Sequence, residues 1–334
     1  MQILKKVKKD NTREIYFCGI KLFSYKREKK QKYNAFEYTK KYLYVLDNFK
    51  KEETSKVSSN YIWQLWFQGE DKAPQIVQQC LKSIKKYCSS KNIIVLNENT
   101  IENYIEIAPH IKQKYEQGII PKAHYSDYIR VCLLAKYGGI WIDATILLTA
   151  PIPKEIQEAE FFQFKSVTWY LFPKIISKKT ILAVQKMKTY LKPHHSGSSW
   201  FMVAKSNCII MQVVKELLEE YWRVENKLVN YFLFHDFLAF AILNNEDCRR
   251  IYNDMYSLNN RNPHVLQDLL KDKYDEELFN EIKQFSSIHK LTYKIPEKDI
   301  NEDSFFKYIL HNFSKTLAGV ERERERESNK PNGL

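Results

Sequence analysis

PKAHYSDYIRVCLLAKYGGIWIDAT, residues 121–145, decides the architecture. Pro121 stands where the first turn of a helix tolerates a residue without an N–H. Ile129, Val131, Cys132, Leu133 and Leu134 make the helix apolar, and Gly138-Gly139 is the glycine stop expected at its end. IWID (140–143) then reads as a buried strand. The DAT that closes it falls at the carboxyl edge of the strand, where open α/β sheets place ligands. Upstream, YIWQLWFQG (61–69) reads as a strand ended by Gly69. After Pro74, the residues Ile76, Val77, Cys80, Leu81 and Ile84 recur at helical spacing and predict an amphipathic helix over 74–87. NIIVLN (92–97) is an apolar run of parallel-strand type, which completes a βαβ unit. FFQF (161–164) and WFMVA (200–204) predict further strands, and 207–222, 231–243 and 273–285 further helices. The expected fold is α/β, a central, mainly parallel sheet flanked by helices.

Composition narrows the classes. Of 334 residues, 44% are hydrophobic and 28% charged, a globular balance that excludes wholesale disorder. Only 8 Gly and 10 Pro exclude collagen-like and glycine-repeat chains. No run approaches the roughly 20 apolar residues of a membrane helix, and MQILKKVKKD lacks the apolar core of a secretory signal. Six cysteines lie scattered without a CxxC, so reduced thiols in a cytoplasmic protein are expected.

The net charge of +13 is uneven: residues 1–58 carry 16 Lys/Arg against 7 Asp/Glu. A basic, partly helical N-terminal arm (1–58), one catalytic domain (59–318) and a charged, solvated tail (319–334) are therefore expected. EIYFCGIKLFSYKREKK sets aromatics beside lysines, as interfacial segments do. An anionic membrane surface is the partner this suggests, on the inner face of the cytoplasmic membrane; a merely solvated face is the plain alternative. No nucleic-acid-binding pattern accompanies the charge.

Several side chains could carry chemistry. Asp127 and Arg130, three apart, project from one face of the apolar helix. A guanidinium that forks onto phosphate, beside a carboxylate that accepts from sugar hydroxyls, would suit a sugar nucleotide. An ordinary ion pair is the alternative. Asp143 and Thr145, two apart on an extended chain, could face one cation or diphosphate. Trp63 and Trp66 are either core or a platform for a flat base. His235-Asp236 interrupts the aromatic run YFLFHDFLAF (231–240) and either fills a polar defect or faces a cleft.

The stretch AHYSDYIRVCLLAKYGGIWIDATILLTAPIP resembles the bacterial capsular polysaccharide synthesis family, related to DXD-containing sugar transferases. IWQLWFQGEDKAP, SSWFMVAKSN, YFLFHDFLAF and IHKLTYK extend the resemblance over about 60–295. It implies a GT-A-type (Rossmann-like) glycosyltransferase that takes a nucleotide-sugar donor and a growing glycan acceptor and retains anomeric configuration. By that likeness Trp66 and Gln64 would contact the donor, with Trp66 stacked on its base. Asp127 and Arg130 would bind its sugar or diphosphate, and Thr145 and Lys294 would also contact the donor. Asp143, the first acid of the motif, would hold a divalent cation, Mn²⁺ or Mg²⁺, with Thr145 and His289. The second acid is replaced by Thr145, a weaker ligand for such a cation. Asp236 would orient a sugar in catalysis. His194, His195, Ser198 and Trp200 would meet the acceptor, although Trp200 at the head of a strand equally suits the core. Two other readings stay open: a transferase-like binding module without activity, suggested by Thr145, and a nucleic-acid binder, suggested by the net charge alone.

Overall fold

The computed structural model describes residues 33–52, 60–165 and 197–311, together with the backbone of three strands between 4 and 26. The expected tail at 319–334 and both His194 and His195 lie outside the described residues. The chain divides into two compact units, Met1–Tyr38 and Thr39–Leu334. In the first, β1 (Leu4–Lys9), β2 (Thr12–Phe17) and β3 (Ile20–Lys26) form an antiparallel meander in that order. Its register pairs Leu4 with Phe17 and Thr12 with Lys26, with an irregularity between Ile15 and Tyr16. These residues are strand, and the helical part of the expected basic arm (1–58) comes later, in the short helices Ala35–Thr39 and Leu43–Asp47.

The second unit starts well before residue 59, the expected boundary, and two contacts explain why. Tyr42 is buried and meets Phe237 edge-on at 5.1 Å. Farther on, the backbone of Glu52 exchanges two hydrogen bonds of 3.0 Å with the side-chain amide of Gln212. The end of the basic stretch is thus part of the body.

The body's strands are β4 (Tyr61–Leu65), β5 (Asn92–Leu96), β6 (Gly139–Ile142), β7 (Ile146–Leu148), β8 (Phe161–Gln163), β9 (Phe201–Ala204) and β10 (Ile288–Lys290). Five of them form a sheet in the order β5-β4-β6-β9-β8. β4 pairs in parallel with β5 and β6, whereas β9 is antiparallel to both β6 and β8. Four strands therefore share one direction and β9 opposes them. The sheet is mainly parallel, as the apolar runs implied.

Helices flank it. The helix Gln75–Tyr87 buries Ile76, Val77, Cys80, Leu81 and Ile84, the residues whose spacing predicted it. Each such side chain contributes about 1.5–3 kcal/mol when fully buried. Ser83 ties that helix to β7: its hydroxyl donates to the Cys80 carbonyl at 2.6 Å and accepts from Leu148 N–H at 2.9 Å. The helix Lys122–Tyr137 lies against β4, β6, β9 and the helix Ile209–Val224. Next along the chain, the helix Leu233–Asn244 packs on Ile209–Val224. Among the described residues, no helix is long and apolar enough to cross a membrane. Cys80, Cys88, Cys132, Cys208 and Cys248 are buried free thiols.

The turn from helix to β6 depends on Gly138 and Gly139. Their φ angles are +64° and +96°, in the left-handed region that L side chains rarely adopt. A Cβ on Gly139 would stand 2.4 Å from the Tyr61 carbonyl oxygen, and one on Gly138 2.3 Å from the Ser206 nitrogen. Absence of side chains lets β6 enter between β4 and β9, and Trp63 Nε1–H seals the corner by donating to the Gly138 carbonyl at 2.9 Å.

A second, two-stranded ribbon was not legible beforehand. β10 pairs antiparallel with β7, with Ile288 opposite Leu148, His289 opposite Leu147 and Lys290 opposite Ile146. The pairing brings residue 290 back to the turn after β6. Alternation then sends His289 to the other face from Lys290. His289 is 0% exposed, with Nε2 3.0 Å from Thr149 Oγ1, and burial, aided by the charge of Lys283, lowers its pKa to about 3.

Two outcomes follow from these placements. Gly139→Ala should lower the unfolding free energy by at least about 2 kcal/mol, from strain and from the clash with Tyr61. Denaturant titration reads it, and wild-type stability in the variant would show that the Tyr61 backbone yields. For His289, an unfolded imidazole titrates near 6.5, so below that pH the unfolded chain takes up a proton that the folded chain refuses. Stability from this group is present above about pH 6.5 and should fall by roughly 2 kcal/mol on going to pH 5. His289→Gln should flatten that stretch of the curve in urea unfolding. An unaltered slope would mean that the folded imidazole accepts the proton.

Candidate active site

The end of β6, the helix before it and β10 meet at a cleft of about 520 Å³. Its wall includes Trp66, Lys122, His124, Asp127, Arg130, Asp143, Thr145, Ser199, Tyr231, His235, Lys290, Tyr293 and Lys294. At its centre is the Asp143 carboxylate, whose side chain is 26% exposed. Oδ1 accepts from Trp141 Nε1–H at 2.9 Å and from the Arg130 guanidinium at 3.2 Å. Oδ2 accepts from Lys290 Nζ at 2.9 Å, and the same ammonium donates to Thr145 Oγ1 at 2.6 Å.

Each position has a structural cause. The backbone N–H of Asp143 donates to the Trp200 carbonyl at 2.9 Å, so β9 fixes where β6 ends. A turn closed by Ile146 N–H on the Asp143 carbonyl, also 2.9 Å, then brings Thr145 beside the carboxylate. The two residues face one space because of this turn, not because the chain is extended. Leu291 N–H on the Thr145 carbonyl, 2.9 Å, locks β10 against the same turn and delivers Lys290.

Arg130 is 4% exposed and clamped: one guanidinium nitrogen donates to Asp127 and the other to Asp143, over the Trp141 ring at 4.7 Å. A cation this buried needs both partners. Both terminal nitrogens of the guanidinium, the fork expected for phosphate, are engaged by the two carboxylates, which it holds in place. The two acids differ electrostatically. Burial pushes the Asp127 pKa up, against the pull of Arg130, and the charge of Asp143 adds to the rise. For Asp143, burial acts the same way but Lys290, then Arg130, outweigh it and hold the carboxyl below its ordinary value. Asp127 Oδ1 is taken by Arg130, and its other oxygen has no hydrogen-bond partner among the described residues.

Of the residues singled out from sequence, Trp66, Asp127, Arg130, Asp143, Thr145 and Lys294 meet in this cleft. Trp66 stands edge-on to Tyr293 at 5.3 Å. Others do not reach it. Gln64 is 0% exposed, one residue short of the strand end, with neither amide atom paired among the described residues. Asp236 points into the protein, where Asn230 Nδ2 donates to it at 2.6 Å; its neighbour His235 takes the cleft side. Trp200 is core, stacked on Phe164 at 4.9 Å. Ser198 is buried with its N–H on the Phe164 carbonyl at 2.9 Å, and Ser199 lines the cleft instead.

The metal-ligand set Asp143, Thr145 and His289 is not assembled. His289 faces away, both oxygens of Asp143 are engaged, and an ammonium bridges Asp143 to Thr145. No group of three or more His, Cys, Asp or Glu suited to a metal occurs among the described residues. The donors present therefore do not fit a protein-held divalent cation.

Sequence reading missed Lys290, Lys122, His124, Ser199, Tyr231 and Tyr293. Alternation in IHKLTYK was the available signal for Lys290: it splits His289 from Lys290, Thr292 and Lys294. His124 Nε2–H donates to the Tyr231 carbonyl at 3.0 Å, which fixes the ring against the cleft wall. Another cavity, about 410 Å³, touches the same helix at Cys132, whose thiol is pushed up to about 12 by burial and is unreactive.

No curated protein matches the sequence. The family model described as capsular polysaccharide synthesis protein matches residues 14–309, a span that contains all of the cleft. The chain belongs to the capsular polysaccharide synthesis family, which points to a role in capsule biosynthesis.

Proposed function

We propose that the chain is a GT-A-like glycosyltransferase that moves a sugar from a nucleotide-sugar donor to a hydroxyl of a growing capsular or related surface glycan. The observation that carries this reading is the charge of the cleft. Its wall holds four fixed cations, Lys122, Arg130, Lys290 and Lys294, against two acids, Asp127 and Asp143. The surplus of two positive charges complements the roughly two negative charges of a nucleoside diphosphate ester, in a semi-enclosed site where such interactions strengthen.

The parts of a donor then find counterparts. Trp66 and Tyr293 offer aromatic surface at one end for the base. Lys290 and Lys294 meet the diphosphate. The unpaired oxygen of Asp127 accepts from a hydroxyl of the donor sugar. Ser199, Tyr231 and His235 take the acceptor side, in place of Ser198 and Trp200. In the reaction the bond from the anomeric carbon to the diphosphate oxygen breaks, and its electron pair leaves with the diphosphate. The acceptor oxygen bonds to the anomeric carbon with retention, and its proton passes to the departing phosphate. Lysines poised on that leaving group lower the barrier by stabilising the charge that develops there. The lysine-rich first residues would hold the enzyme on the anionic inner face of the cytoplasmic membrane, at about 1 kcal/mol per basic residue close to the headgroups.

A panel of UDP-, GDP- and CMP-sugars tests the reading, with binding read by thermal shift and turnover by release of the nucleotide. One donor should stabilise the protein and be consumed. Asp127→Asn should cut turnover by at least about 100-fold, and because it takes the charge from one partner of buried Arg130 it should also lower the melting temperature, so turnover is compared at a temperature where the variant is still folded. Failure of every donor to bind would end the transferase reading, and a donor that binds but is never consumed would favour a recruiting module.

A further inference from the structure

Lys290 is not a loose surface lysine that happens to lie near an acid. Its backbone is in β10, opposite Ile146, and the next residue is hydrogen-bonded to Thr145. Its side chain is only 19% exposed. The ammonium stands 2.9 Å from Asp143 Oδ2 and 2.6 Å from Thr145 Oγ1, between the two side chains that the sequence resemblance sets against the ends of a metal-binding D-x-D. The other oxygen of Asp143 is held by Trp141 and Arg130. A divalent ion at this place would have to displace a half-buried ammonium from its ion pair, or bind beside it against like-charge repulsion.

We propose that Lys290 is a built-in replacement for the divalent cation, so that this chain binds the donor diphosphate without metal. The proposal rests on the nucleotide-sugar reading above and deepens it. An ammonium has three N–H donors. Asp143 and Thr145 take two of them and fix the direction of the third, which is available to a phosphate oxygen. Asp143 is then a positioning residue for Lys290 rather than a metal ligand. Thr145 suits that arrangement better than a second acid would, because a hydroxyl accepts from the ammonium without adding charge.

The test uses the full-length chain and three probes, UDP, GDP and inorganic pyrophosphate, each titrated calorimetrically in EDTA and again in MnCl₂. At least one probe should bind in EDTA, with affinity changed by less than about threefold when Mn²⁺ is present, since free Mn²⁺ contributes only through the ligand. Lys290→Met should weaken binding in EDTA by about 10- to 100-fold, the loss of one charge-assisted hydrogen bond to phosphate, whereas Lys290→Arg should keep most of it. In Lys290→Ala, which vacates the space between Asp143 and Thr145, Mn²⁺ should restore part of the lost affinity. Mn²⁺ titrated into the wild-type protein alone, followed by electron paramagnetic resonance, should show no tight site that Asp143→Asn removes.

Binding of UDP or GDP by the wild type only when Mn²⁺ is present would overturn the proposal and leave the donor reading standing. So would a tight Mn²⁺ site lost in Asp143→Asn. Binding of none of the probes under either condition would remove both. The wild-type comparison needs no variant, so a poorly folded substitution does not shelter the idea.

Discussion

The structure around the cleft depends on one carboxylate being shared by two cations from distant parts of the chain. Asp143 is three-quarters buried, a state that a carboxylate reaches only with compensation. Arg130 supplies part of it from the helix before β6, and Lys290 supplies the rest from β10. Without either, the end of β6 would carry an unpaired charge in a poor solvent, and breaking such a pair by removing one partner costs more than never having formed it. The carboxylate therefore acts as a joint among a helix, the central sheet and the ribbon.

That joint also makes two similar acids unlike. Arg130 lies between Asp127 and Asp143 and serves both, but Lys290 serves Asp143 alone. Burial drives both pKa values upward, and only Asp143 has enough positive charge nearby to reverse the shift. One acid is thereby committed to structure and stays ionised, while the other keeps an oxygen and a raised proton affinity for whatever enters the cleft. Opposed environments of this kind are how a fold gives neighbouring carboxyls different work.

What was legible from sequence follows from the range of the interactions involved. Helix Gln75–Tyr87, the glycine pair at 138–139 and the strand after it are fixed by local rules, and all were readable. So was the convergence of Asp127, Arg130 and Asp143, because helix, turn and strand are contiguous. Side-chain direction in short distant elements was not. Alternation in IHKLTYK separates His289 from Lys290, but which of the two faces the cleft is a matter of one residue of register, set by pairing with β7. Asp236 and His235 differ in the same way by helical phase, which the aromatic surroundings on every side conceal. The reversed direction of β9 was equally silent, since a buried strand is apolar whichever way it runs. The body's early start, through Tyr42 and Glu52, rests on contacts with the helices Leu233–Asn244 and Ile209–Val224, which charge counting could not anticipate.

The pairing of Thr145 with Lys290 gives the site an internal charge logic. Two carboxylates at 143 and 145 would present two negative charges, which a divalent cation balances. One carboxylate and one hydroxyl present a single negative charge, which one ammonium balances, and the distances of 2.9 and 2.6 Å show the ammonium doing so. A covalently tethered cation also differs from a metal in kind. It has no exchangeable water or coordination number, it cannot be removed by a chelator, and its directionality comes from N–H bonds whose orientation the strand fixes. On the proposed reading, a threonine at 145 is thus not evidence of a degenerate site. A hydroxyl there suits a lysine at 290, because a second carboxylate beside the first would leave the ammonium outnumbered and the turn with an uncompensated negative charge.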